Sequence, residues 1–139
     1  MKKFTFTLFC VIILSTCSSD ESTLELFSAE AFAYSIDNGW ELNATCLVKG
    51  FEQKEEENEF KAKLSFTVDL KTPDGNMLKG VGGGLIDKTD KEKITDLLLE
   101  TQIQLDSSYK TGKYTIMFNV DDNFSGKSTS IQKEFELTN

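Results

Sequence analysis

The chain has 139 residues, with 23 Asp and Glu against 15 basic residues, all of them Lys, and a formal net charge of −8. It contains no His, which removes Ser-His-Asp and Cys-His catalysis and the usual zinc site. An acidic chain without Arg is also poorly matched to nucleic acid, because phosphate affinity needs clustered cations and base readout leans on Arg.

The first residues read as an export signal. Lys2 and Lys3 precede an apolar run at positions 4–14 (FTFTLFCVIIL), and small residues follow at 15–19. A positive start, a short apolar stretch and a small-residue end form the secretory layout. The run covers about 11 residues, whereas a spanning helix needs roughly 20, so a signal helix is expected here and not a permanent membrane span.

Leu14-Ser15-Thr16-Cys17 resembles the lipobox of bacterial lipoproteins, with Leu three residues before an invariant Cys. The resemblance implies that the Cys17 thiol carries a diacylglycerol, that the leader (1–16) is cut before it, and that the new N-terminus is acylated. Thr16 departs from the Gly, Ala or Ser that the family prefers there. Ordinary signal-peptidase cleavage nearby, leaving a soluble exported protein, is the alternative. Two or more acyl chains make attachment durable where a single chain does not. Ser18 is not the Asp that marks inner-membrane retention in enteric lipoproteins, so the resemblance implies the outer membrane. Ser18-Ser19-Asp20-Glu21 is similar to the Ser- and acid-rich signals that send Bacteroidota-like lipoproteins to the cell surface. The organisation expected is a signal peptide (1–16), a lipidated Cys17 with a polar tether (17–23), and one domain (24–139). Extended, residues 18–23 span about 20 Å.

Removing Lys2 and Lys3 with the leader takes the net charge from −8 to −10. Such a domain is repelled by anionic headgroups, so the lipid would have to do the holding. Of three cysteines, Cys10 falls in the leader and Cys17 is the lipid site. Cys46 is left without an internal disulfide partner. It is expected as a small buried hydrophobe in a strand, with a reactive thiol or a bond to another chain as the alternative.

Downstream, alternation dominates. Leu24 to Phe27 makes a short first strand, and Phe32, Tyr34 and Ile36 alternate before an Asp37-Asn38-Gly39 turn. Leu42, Ala44, Cys46 and Val48 follow as the partner of that strand in a hairpin, opened by Trp40, which is expected in the core in preference to a sugar-stacking platform. After an acidic loop at 50–58, the even positions from Phe60 to Leu70 are apolar and the odd ones polar, a strand with one wet face. Pro73-Asp74-Gly75 makes a turn. Gly80-Val81-Gly82-Gly83-Gly84 matches no phosphate loop and is expected as a bulged or mobile connection, followed by a charged linker at 87–93. Leu97, Leu99, Ile103 and Leu105 alternate next, then Tyr114, Ile116, Phe118 and Val120, then Ile131, Phe135 and Leu137.

A Leu, a polar turn containing Gly112, and Tyr114 opening the penultimate strand resemble the tyrosine corner of immunoglobulin-like Greek-key sandwiches. The fold expected is therefore all-β: an immunoglobulin-like antiparallel β-sandwich of about seven strands. Such a motif speaks to fold and not to activity. Without His, catalysis would need paired carboxylates or an activated Lys, and the chain is not expected to be an enzyme or to hold a cofactor. Calcium is the one metal weighed, through the loops Glu55-Glu56-Glu57-Asn58-Glu59 and Asp121-Asp122-Asn123, but neither fits an EF-hand and both are expected as solvated charge. The function expected is a lipid-anchored, non-catalytic binding or adhesion module, meeting an envelope or extracellular protein or a glycan. A periplasm-facing structural subunit and a calcium-stabilised secreted domain are the alternatives.

Overall fold

The computed structural model describes residues 22–139, so the expected signal helix and the expected lipidation site Cys17 lie outside the described residues. Eight strands follow in order: β1 (Glu25–Ile36), β2 (Gly39–Lys49), β3 (Lys54–Glu56), β4 (Glu59–Lys71), β5 (Met77–Asp90), β6 (Asp96–Asp106), β7 (Gly112–Asp122) and β8 (Ser128–Leu137). One sheet has the order β1-β2-β6. The other runs β3-β4-β7-β8, with β5 on the remaining side of β4, and every pairing is antiparallel. This is the all-β sandwich expected. It differs from the constant-type immunoglobulin arrangement at β5, which stays hairpinned to β4.

The alternations translate directly into the core. Leu42, Ala44, Cys46 and Val48 of β2 face Ala62, Leu64, Val68 and Leu70 of β4 and Ile116, Phe118 and Val120 of β7 across the interior, all of them buried. Trp40 belongs to this core, and its indole N–H donates to the Thr138 carbonyl at 2.8 Å. Burial pushes the Cys46 thiol up to about 12, so it stays protonated and inert at neutral pH. The Tyr114 hydroxyl donates to the Lys110 carbonyl at 2.7 Å, and its ring stacks on Phe135 at 5.6 Å. That bond ties the start of β7 to the turn before it, as in a tyrosine corner.

Three segments differ from the sequence reading. The two short strands expected between 24 and 36 are one continuous β1, broken in register between Phe27 and Glu30, with Ser28 at a φ of 51°. Residues 54–56 of the acidic loop form β3, hairpinned to β4 through Glu57 and Asn58, both at positive φ. The glycine run and the first part of the charged linker, through Asp90, are not a connection but make up most of β5, a 14-residue strand; only residues 91–95 connect it to β6. The glycines are there because of close approach. A Cβ at Gly82 would sit 2.7 Å from Thr101 Oγ1 in the opposite sheet, and one at Gly83 would sit 2.5 Å from the Phe66 carbonyl oxygen. Small residues let β5 lie against both β4 and the facing edge of β6.

The bulge expected in the glycine run is present. Lys79, Gly80 and Val81 of β5 stand opposite the single residue Asp69 of β4.

Candidate ligand-binding face

The strand directions define two ends. The chain enters β1 at one end, beside Gly50, the β3–β4 hairpin, residues 91–95 and the β7–β8 turn. The turns at 37–38, 72–76 and 107–111 occupy the other. The expected acidic loops both fall at the first end. There Lys61 pairs with Glu56 at 2.7 Å. Asp122 is buried and fully engaged: its carboxylate accepts the backbone N–H of Glu52 at 2.7 Å and of Phe124 at 3.0 Å, and the Ser125 hydroxyl at 2.7 Å. This carboxylate pins the β7–β8 turn to the segment after β2, which is a structural task. Among the described residues, no group of three or more His, Cys, Asp or Glu is placed to hold a metal ion.

Two depressions mark the ends. One, of about 450 Å³, is lined by Phe51, Gln53, Phe60, Lys93 and Ile94, and its most convergent polar group is already committed. The Gln53 amide donates to the Ile94 carbonyl and accepts the Ile94 N–H, both at 2.8 Å. The other, of about 350 Å³, lies at the far end beside the tyrosine corner, between Thr72, Asp74, Asn76, Asp106 and Tyr109. Asp106 accepts the Ser108 hydroxyl and its N–H, which hold the carboxyl below the usual range. Both depressions are walls of turns whose polar groups serve the turns.

The outer face of β1-β2-β6 is different. Six large hydrophobic side chains are exposed among the described residues, and four of them lie here: Phe32 (59%), Tyr34 (46%), Ile36 (37%) and Leu98 (53%). The register arranges them. Phe32 stands beside Asn43 and then Gln102, and Tyr34 beside Glu41 and then Gln104. Ile36 closes the stripe beside Gly39, which has no side chain to cover it. Neighbouring rings on one strand face are about 6.8 Å apart and neighbouring strands about 4.8 Å. An aromatic column on β1 is thus flanked by a column of amides and carboxylates on β2 and β6.

The face is organised internally. The Tyr34 hydroxyl donates to Glu41, and the Asn43 amide donates to the same carboxylate oxygen at 3.3 Å. Glu41 so fixes one ring and one amide at once. Alternation of Phe32, Tyr34 and Ile36 was visible in the sequence but carried no sign of which side faces water. The side was decided by the register break after Phe27. Beyond it, Ala29, Ala31 and Ala33 turn inward against the core. The signal available was size: β1 packs close to β8, where only small inward residues fit.

The outer face of the second sheet is mostly polar by contrast: Ser65, Thr67 and Lys63 on β4, Thr115 and Asn119 on β7, with exposed Leu85 and Met77 set apart from each other on β5. Its one buried charge is Asp69, which points outward on β4 but is sealed by the β5 bulge. It accepts the Gly80 N–H at 2.9 Å, the Lys79 ammonium at 3.1 Å and the Asn119 amide at 3.0 Å. Burial alone would raise its pKa, but these three donors outweigh it and hold the carboxyl below the ordinary range.

The fold and this face define an all-β sandwich. No family model matches the chain, and no curated protein matches it in sequence. A solved structure shares the fold: a family 123 glycoside hydrolase from Clostridium perfringens, studied for glycolipid glycan hydrolysis, at 15% identity and a TM-score of 0.50. The alignment covers 78% of this chain and 22% of the hydrolase, so the chain spans about a fifth of the length of the protein it resembles. The expectation that the chain is not an enzyme is corrected by this likeness, since an enzyme carries the same fold over part of its length. That expectation rested on the missing His and on reading the many carboxylates as solvated surface, whereas glycoside hydrolysis runs on two carboxylates without a His. The likeness concerns fold alone.

Proposed function

We propose that the chain is a lipid-anchored envelope protein that presents its sandwich as a binding module at the outer membrane. The observation that carries the reading is the concentration of exposed apolar side chains on one sheet face, in register with a hydrogen-bonding column. Scattered exposed hydrophobics mean little, whereas a contiguous patch rimmed by polar groups marks an interaction surface. The lipobox-like Leu14-Ser15-Thr16-Cys17 supports the anchor. With the lipid on Cys17, the tether meets β1 at one end of the sandwich, and the Phe32–Tyr34–Ile36 stripe runs toward the other, away from the bilayer.

The test has two arms. Labelled palmitate incorporates into the wild-type chain and not into Cys17→Ala; equal label in both removes Cys17 as the anchor. Protease added to intact cells digests the domain if it is displayed outside, and protection until lysis turns the module toward the periplasm.

The likeness to a glycoside hydrolase supports a second reading, in which the sandwich serves glycan hydrolysis, alone or beside a catalytic partner. Release of reducing sugar from oligosaccharides by the purified chain would support it.

A further inference from the structure

The stripe on β1 admits a more specific conclusion about what it binds. We infer that the outer face of β1-β2-β6 is a binding site for a neutral oligosaccharide, with Phe32 and Tyr34 as stacking platforms and Glu41, Asn43 and Gln102 as hydroxyl-binding groups. The inference deepens the binding-module reading by naming its ligand class, and it does not depend on the lipid.

Three features separate a glycan from other occupants. The first is area. Phe32 and Tyr34 are each about half exposed, which leaves on the order of 200 Å² of aromatic surface between them. A stable protein partner covers about 800 Å² per side and wants an apolar centre with polar groups at the rim. Here the apolar column of Phe32, Tyr34 and Ile36 lies on the edge strand β1, Leu98 stands apart from it on β6, and polar groups of β2 fill the middle of the sheet. The second is the polar chemistry. An amide presents a donor and an acceptor in one plane and a carboxylate two acceptors, which suits adjacent sugar hydroxyls that both give and take hydrogen bonds. A ring beside them takes the C–H face of the same sugar, because aromatic faces are electron-rich and apolar. The third is charge. Glu30, Glu41 and Glu100 all stand on this face, in register with or next to the amides, and the chain as a whole carries a net charge of −8. A sulfated, phosphorylated or sialylated ligand would meet repulsion, so the sugar is uncharged.

Pre-organisation supports the assignment. Glu41 accepts from both the Tyr34 hydroxyl and the Asn43 amide, so the ring and the first polar group are held in one geometry before a ligand arrives. That lowers the ordering penalty of binding.

The experiment uses the full chain, solubilised in detergent with whatever lipid it carries. It is passed over immobilised neutral oligosaccharides of the gluco, galacto, manno and N-acetylhexosamine series, with sulfated counterparts alongside. Expected is binding to at least one neutral series and weaker binding to its sulfated form. Phe32→Ser and Tyr34→Ser each weaken that binding roughly tenfold or more, the scale of losing one stacked ring. Asn43→Ala weakens it as well, and Leu85→Ser, an exposed apolar residue on the other sheet, leaves it unchanged. Unaltered thermal midpoints show that the variants fold. No neutral series bound, tighter binding to the sulfated forms, or stripe variants that bind as wild type would each overturn the inference. A protein crosslinked to Phe32 or Tyr34 variants carrying a photoreactive group, with no glycan bound, would assign the face to a protein partner instead. Absence of palmitate label from the wild-type chain, with glycan binding intact, would count against the anchor and not against this site.

Discussion

The two outer faces of the sandwich obey the same alternation and use it differently. On the β4-β7-β8 side, outward positions are mainly charged or polar, with Met117 the apolar one among them, and the one costly group, Asp69, is sealed and satisfied by Gly80, Lys79 and Asn119. On the β1-β2-β6 side, large apolar rings stand in water beside amides. Folding alone explains the first face, because every buried polar atom there has a partner. It does not explain the second, where burial has been declined at several positions at once. A surface that stability does not account for is where binding is to be sought.

Substitutions can test that contrast in order of effect. Behind both faces the interior is common property, so Leu42→Ala in one sheet and Phe118→Ala in the other should be about equally damaging. Each is expected to cost about 2–5 kcal/mol by denaturant unfolding, since both side chains are fully buried and leave cavities. A large difference between them would mean that one sheet is only loosely packed on the other.

Next comes the sealed carboxylate. Asp69→Ala strands the Gly80 N–H and the Asn119 amide and is expected to cost about 1–3 kcal/mol. Its pH signature is specific. The folded carboxyl titrates below its ordinary value, so the unfolded chain binds the proton first as pH falls. The stability it contributes is therefore whole above the ordinary carboxylate range and is lost as pH falls through that range toward the lower folded value. Asp69→Asn should flatten that limb of the stability–pH curve, and an unchanged acid limb would show that Asp69 is not its source.

Tyr114→Phe removes one hydrogen bond to the Lys110 carbonyl and leaves the ring stacked on Phe135, for an expected loss of about 1 kcal/mol. The smallest effect belongs to the bare face. Phe32→Ser and Tyr34→Ser should change unfolding free energy by no more than about 0.5 kcal/mol, as exposed substitutions do. If either destabilised the fold as Tyr114→Phe does, the stripe would be part of the packing and the contrast between the faces would fail.

Much of this molecule is written in local pattern. The six alternations from Phe60 to Leu70 determined the central strand β4 and its wet side, because a period of two leaves one solution when five of the six apolar positions are to be buried. Asp37-Asn38-Gly39 determined the first hairpin, and Gly112 with Tyr114 pointed to the corner that the Lys110 carbonyl completes. The expected leader and the expected lipid site at Cys17 rest on the sequence alone. Tertiary structure decided the rest. Gly80 to Gly84 looks like a loop because glycine disfavours strands, yet it is strand β5, since only glycine lets that chain approach Phe66 and Thr101 so closely. Phe32, Tyr34 and Ile36 look like core, yet they face water, since a register break at Phe27 and the nearness of β8 give the inward side to alanines. Local pattern reports a period. Which phase of that period is buried depends on what lies across the sheet, and that neighbour is distant in sequence.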